Sequence, residues 1–160
     1  MKRVYLIGGP MGVGKTTVCR ELQKRLYRSV FLDGDWCWDA NPFQVTEETK
    51  AMVTENICFL LNNFLRCSAY DHVIFCWVLH QQGILDGLLS RLDVRDCRVQ
   101  AVSLIASPEA LAASPDAGTM GKTCMVLGTC LARLTNSLYT TTISSRSSLR
   151  NLLMSVVLSE

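Results

Sequence analysis

Gly8-Gly9-Pro10-Met11-Gly12-Val13-Gly14-Lys15-Thr16-Thr17 is the stretch on which the reading of this chain turns. Gly9, four residues, Gly14, Lys15 and Thr16 reproduce the spacing of a phosphate loop. Glycines let the backbone curl until several N–H groups face one anion. A lysine at this position reaches the outer phosphates of a nucleotide, and the threonine after it offers a hydroxyl to the accompanying Mg²⁺. The helix expected to begin here adds its positive N-terminal end. With average residue usage, the pattern arises by accident in roughly one chain in 200 of this length. The flanks lower those odds. Val4-Tyr5-Leu6-Ile7 reads as a short buried strand, and Val18, Leu22 and Leu26 recur at helical spacing among charged residues.

The next strand, Ser29-Val30-Phe31-Leu32, runs into Asp33-Gly34-Asp35. Aspartates two apart are common by chance, so position gives this pair its weight. Ligands of open parallel sheets bind outside the carboxyl ends of the strands, and the phosphate loop and the acidic turn both follow strands. Trp36-Cys37-Trp38-Asp39-Ala40-Asn41-Pro42-Phe43 comes next and is broken by Asn41-Pro42, a turn signal. Trp36, Trp38 and Phe43 suit two uses equally: an aromatic wall for a phosphate acceptor, or a loop pinned by its rings to the core.

Thr46-Glu47-Glu48 opens a long helix, with Thr46 as cap and two acids suited to its dipole. Met52, Val53, Ile57, Leu60, Leu61, Phe64 and Leu65 carry the helical period to about Cys67. His72 to Leu79 is almost wholly apolar, as in a central parallel strand. His80 follows it on the ligand edge, as an exposed histidine or a substrate contact. That strand ends without the acid that many P-loop ATPases and GTPases use for Mg²⁺, so Asp33 would take that duty. No Asn-Lys-x-Asp sequence is present, which weakens a GTPase reading. A short helix over 83–92, a strand over 99–105 and a helix from Ser107-Pro108-Glu109 continue the alternation. Residues 113–123 read as a loop, Met125–Leu134 as a helix, Leu138–Ile143 as a fifth strand, and Leu149–Val157 as a closing helix. Gly121-Lys122-Thr123 repeats the end of the phosphate-loop motif but has Asp116 where its first glycine should be. It reads as coincidence, or as a mobile loop that brings one lysine to the site.

A chain of 160 residues fits one domain with a real core. With 16 basic and 14 acidic residues, its net charge of +2 argues against nucleic acid or an anionic membrane as partner. No apolar run approaches the ~18 residues of a membrane span, and Met1-Lys2-Arg3 precedes too short an apolar run for a signal peptide. Eight cysteines without a CxxC pair read as reduced core thiols of a cytoplasmic protein.

Strand–helix alternation suggests a doubly wound α/β sandwich. With its phosphate loop and Phe31-Leu32-Asp33-Gly34-Asp35, the chain resembles the small P-loop kinases over about residues 1–112. These are gluconate, shikimate and adenylylsulfate kinases, chloramphenicol phosphotransferase and the nucleoside monophosphate kinases. The resemblance implies a three-layer P-loop NTPase fold with a five-stranded parallel sheet in the order 2-3-1-4-5, and one domain over 1–160 with a lid at about 112–134. It implies ATP and Mg²⁺ as cofactors, a small-molecule phosphate acceptor as partner, and a monomer or dimer. Carried over by position, Gly9, Gly12, Val13, Gly14, Lys15, Thr16 and Thr17 would hold ATP, with Arg146 as neighbour of the base. Thr16 and Asp33 would serve the metal. Asp33 and Asp35 would divide the metal's water shell and the acceptor's hydroxyl proton between them, with Asp35 favoured for the acceptor beside Trp36, Trp38, Phe43 and His80.

The lid departs from the family's pattern. Such kinases carry arginines there, whereas no arginine lies between Arg98 and Arg133, only Lys122. A positioned arginine is worth about 10³–10⁵ in rate. Either Lys122 and Arg133 substitute, or transfer is slow, or the lid has degenerated. The leading reading is a kinase acting on a small-molecule or nucleotide acceptor. The alternatives are an ATP-binding regulatory protein with little transfer activity and a slow ATPase.

Overall fold

The structure is a computed structural model, and it describes residues 1–79, 82–104, 129–134 and 137–142. The elements in chain order are β1 (Lys2–Gly8), α1 (Lys15–Arg25), β2 (Ser29–Asp33), a 3₁₀ turn (Gly34–Trp38), α2 (Glu47–Arg66), β3 (His72–Cys76), α3 (Gln82–Leu89), β4 (Cys97–Leu104), β5 (Thr129–Leu134) and β6 (Ser137–Thr142).

Alternation along the central strands decides which helix covers which face. In β1, Tyr5 and Ile7 join Val18, Cys19 and Leu22 of α1, Phe31 of β2, and Ile74 and Cys76 of β3 in one core cluster. Val4 and Leu6 point the other way, to Val53, Ile57 and Leu61 of α2 and Leu88 of α3. A strand with both faces covered has no polar side to offer, hence the unbroken apolar runs of β1 and β3. Thr46 caps α2 as its sequence suggests. Its hydroxyl accepts from the Thr49 N–H at 3.1 Å, and the Thr49 hydroxyl accepts from the Thr46 N–H at 2.9 Å, so a threonine does the work usually given to glutamate. At the other end of α2, the Lys2 ammonium donates to the carbonyls of Cys67 and Tyr70, which stand just past the helix.

The sheet runs β2-β3-β1-β4-β5-β6. Its first four strands are parallel, in the order 2-3-1-4 of the P-loop fold. Beyond β4 the expectation of a fifth parallel strand is corrected. β5 pairs antiparallel with β4, and β6 antiparallel with β5. The expected helix over Met125–Leu134 is corrected as well, since Thr129–Leu134 is strand. The reason is local. Only Thr135 and Asn136 separate the two runs, and Leu134 pairs with Ser137. Two residues close a hairpin but cannot carry the crossover of a dozen or more that parallel pairing requires. The short apolar run Cys130-Leu131-Ala132 fits either period, and its partner strand, rich in threonine, decides in favour of sheet.

β3 also stops sooner than its apolar run. Its last ladder pair is Ile7 with Cys76, and β1 leaves the sheet just after, to form the glycine loop. The expected helices at 107 and 149–157, most of the expected lid (112–128), Lys122, Arg146 and His80 lie outside the described residues. Among the described residues, no helix is long and apolar enough to cross a membrane.

Candidate active site

β1 ends at Gly8, and the loop that follows is built on three glycines with positive φ: Gly9 at 142°, Gly12 at 77° and Gly14 at 90°. A side chain on Gly9 would also meet the Leu104 carbonyl oxygen at 2.6 Å. One on Gly12 would meet nothing within 4 Å, so the loop is open there. Gly14 is the N-cap of α1, and no side chain caps that end. The first N–H groups of the helix are therefore left for a ligand. The Lys15 ammonium folds back over the loop and donates to the carbonyls of Gly9 at 3.1 Å and Pro10 at 2.9 Å. These bonds occupy two of the three N–H groups of a lysine and hold its charge over the loop.

β2 ends alongside. The Thr16 hydroxyl donates to Asp33 Oδ2 at 2.7 Å, so the first turn of α1 and the end of β2 are joined. The other carboxylate oxygen, Asp33 Oδ1, accepts from the Asp35 N–H at 3.2 Å. Asp33 is only 5% exposed, a cost tolerated because both oxygens are bonded. It is paired in register with Cys76 of β3. The Cys76 thiol is driven far above its ordinary range by hydrogen bonding to Cys19, by burial, and by the charge of and a bond to Asp33. It therefore stays S–H beneath the carboxylate and acts as a weak donor.

Asp35 is the exposed member of the pair. Partial burial is the first cause that raises its pKa, and the neighbouring Asp33 charge is the second; Lys15 opposes both. The Asp33 and Lys15 charges thus both act on Asp35, and the two carboxylates differ in burial.

The aromatic residues divide. Trp38 packs at 4.8 Å from Phe43 and joins the cluster on the α2 face. Trp36 turns to the α1 face, 5.3 Å edge-on to Phe31, with the Arg20 guanidinium 5.2 Å from its ring and 5.0 Å from that of Phe31. Trp38 and Phe43 therefore pair on the α2 side, whereas Trp36 lies with Phe31 and Arg20 on the α1 side. Arg133 lies on β5, a strand beyond the parallel core. Sequence reasoning missed Trp77. It follows β3 directly, and a Cβ placed on the buried Gly34 would stand 2.5 Å from its ring. A bulky aromatic at the carboxyl end of a central strand was the available signal.

The oxygen set of Thr16 and Asp33 suits a hard cation that keeps most of its waters, as Mg²⁺ does. The uncapped helix start, the open loop at Gly12 and the Lys15 charge suit the phosphates of a nucleotide. Residues 6–113 match the family model described as the AAA domain. The chain belongs to the AAA-domain family. No curated protein matches this AAA-domain chain in sequence. Among solved structures, a tunicamycin resistance protein of Deinococcus radiodurans is 19% identical, with a TM-score of 0.57 over 77% of this chain and 75% of its own. A gluconokinase of Sinorhizobium meliloti 1021 is 15% identical, with a TM-score of 0.55 over 77% and 70%. An APS kinase of Mycobacterium tuberculosis is 13% identical, with a TM-score of 0.50 over 64% and 75%. At these identities the likeness is one of fold: this AAA-domain chain has the architecture of the small P-loop kinases.

Proposed function

We propose that the protein is an ATP-dependent phosphotransferase acting on the hydroxyl of a small-molecule or nucleotide acceptor. One observation carries the reading: the Thr16–Asp33 hydrogen bond sets an acidic turn against the phosphate loop, with Asp35 exposed beside Lys15. The Mg²⁺–ATP complex, when bound, supplies the transferable phosphoryl group and a positive charge beside it. Residues Gly9 to Thr17 cradle the phosphates, and Lys15 neutralises charge on the outer ones. Thr16 and Asp33 would hold the metal side of the complex, with Asp33 orienting the Thr16 hydroxyl. Asp33, buried and doubly bonded, has no reach toward an acceptor, so Asp35 takes the acceptor's proton. Its raised pKa makes it a better proton acceptor than an ordinary carboxylate. Trp38 and Phe43 form the aromatic side of the acceptor site. Catalysis in such a site is positioning and charge neutralisation rather than covalent chemistry.

The family architecture and the hard-oxygen donor set support this reading. The regulatory alternative draws on the sequence between Arg98 and Arg133, which holds Lys122 and no arginine. ADP release measured by a coupled assay, with and without a panel of sugar, polyol and nucleotide acceptors, separates the readings. Acceptor-dependent release is expected. Tight ATP binding with no release against the whole panel favours the regulatory alternative, and release indifferent to acceptor marks a slow ATPase.

A further inference from the structure

The two halves of the site need something to fix the distance between them. The Thr16–Asp33 bond joins them at one point, but Asp35 sits two residues beyond it, on a 3₁₀ turn outside the sheet ladder. The segment just after β3 touches both halves. Trp77 N–H donates to the Ile7 carbonyl at 3.2 Å, which fixes its backbone to the strand that feeds the phosphate loop. Two residues on, Leu79 lies against Gly8, where a Cβ would stand 3.0 Å from both its Cβ and its carbonyl oxygen. The Trp77 side chain reaches the other way, to Gly34, the middle residue of the acidic turn. A Cβ there would meet Trp77 Cδ1 and Cγ at 2.5 Å. Gly34 has no positive φ to explain it. Its lack of a side chain is explained by the indole that occupies the space.

We infer that Trp77 is a positioning residue: anchored by its backbone to β1, it holds the Gly34 turn with its ring and thereby fixes Asp35 relative to Lys15 and the phosphate loop. The inference rests on the kinase reading for its consequence, but not for its geometry. Several P-loop enzymes use the end of this strand for a metal-side acid. Here the acid comes from β2, and the residue after β3 becomes the part that aims it. A ring suits the task because it is stiff and loses little freedom when packed. Its backbone is already fixed by the Ile7 bond, so turn and loop move together.

The test uses full-length protein in three forms: wild type, Trp77→Ala and Trp77→Phe. Hydrogen exchange at the Asp35 N–H, which the turn holds against Asp33 Oδ1, is followed by NMR. Trp77→Ala frees the turn, and exchange of the Asp35 N–H is expected to speed up about tenfold; Trp77→Phe keeps it near wild type. Mg²⁺–ATP affinity by calorimetry is expected to change by less than about threefold in either variant, while kcat for acceptor phosphorylation falls on the order of tenfold to a hundredfold in Trp77→Ala and recovers in Trp77→Phe. Exchange at the Asp35 N–H that is identical in all three proteins overturns the inference. So does a Trp77→Ala variant that loses ATP affinity and kcat in the same proportion, since a structural defect does that. If wild type transfers phosphate to no acceptor, the kinase reading fails, and the exchange at Asp35 still decides the role of Trp77.

Discussion

The phosphate loop and the Asp33-Gly34-Asp35 turn lie at the same edge of one sheet, after β1 and β2 with β3 between them, and they hold their shapes for opposite reasons. The loop is shaped from within. Gly9, Gly12 and Gly14 take φ values that other residues resist, and around Gly12 there is empty space. The turn is shaped from outside. Gly34 takes no such φ, and its place is set by the Trp77 ring upon it and by the Asp35 N–H bonded to Asp33. The contrast separates a motif that sequence spacing can encode from one that needs a partner more than forty residues away.

The contrast can be broken at either side, and the largest effect is expected on the loop side. Lys15→Ala removes the charge over the loop; nucleotide-dependent thermal stabilisation should vanish and transfer should drop on the order of a thousandfold, read by thermal shift and coupled assay. Unchanged stabilisation by ATP would separate the loop from nucleotide binding. On the turn side, Asp35→Asn should keep ATP affinity and lose on the order of 10²–10⁴ in kcat, as expected for removal of a proton acceptor. Normal turnover by that variant would remove Asp35 from the chemistry.

Stability changes are smaller and sharpen the comparison. Gly34→Ala should cost about 1–3 kcal/mol in chemical denaturation, because a methyl group meets the indole. Trp77→Ala in the same chain should give part of that back, since the collision partner is gone. Gly12→Ala should cost roughly 1–2 kcal/mol through φ alone, with no second-site change that relieves it. If Gly34→Ala and Gly12→Ala respond alike to loss of Trp77, the two glycines are not held by different means.

The smallest effect concerns charge. The Asp35 pKa is raised by burial and by Asp33, so the folded state holds its proton to higher pH than the unfolded chain does. Between those two pKa values the folded state binds more protons, and stability falls as pH rises through the window. Asp35→Asn should therefore raise stability at neutral pH, by less than about 1 kcal/mol because the group is exposed and screened. Melting temperatures of the two proteins should converge below the ordinary carboxylate range.

Much of the frame was legible before any coordinates. The glycine spacing, the apolar run before it and the helical period after it led to strand, loop and helix, and Thr46 with its acids marked the start of α2. These are local signals, each complete within a dozen residues. The acidic pair was legible as a pair, but the difference in burial was not. Nothing in Asp-Gly-Asp says which carboxylate is buried; the register of β2 against Cys76 and the reach of Thr16 decide that. Trp36 and Trp38 looked alike in sequence, and the 3₁₀ turn places one with Arg20 and Phe31 and the other with Phe43. The run before Leu134 reads as a helix in sequence because its apolar spacing suits both periods, and only pairing with Ser137–Thr142 settles it as strand. Trp77 escaped notice because its work is done against a glycine, which leaves no trace in a hydrophobic pattern.

The account stands on a carboxylate from β2 serving the metal side of a phosphate loop through Thr16. Calorimetric titration of ATP with Mg²⁺ and with EDTA, into wild type and Asp33→Asn, tests it most directly. Wild type should bind the metal complex more tightly than free ATP by about 10–100-fold, and Asp33→Asn should lose most of that preference. A variant that keeps the full metal preference would contradict the account.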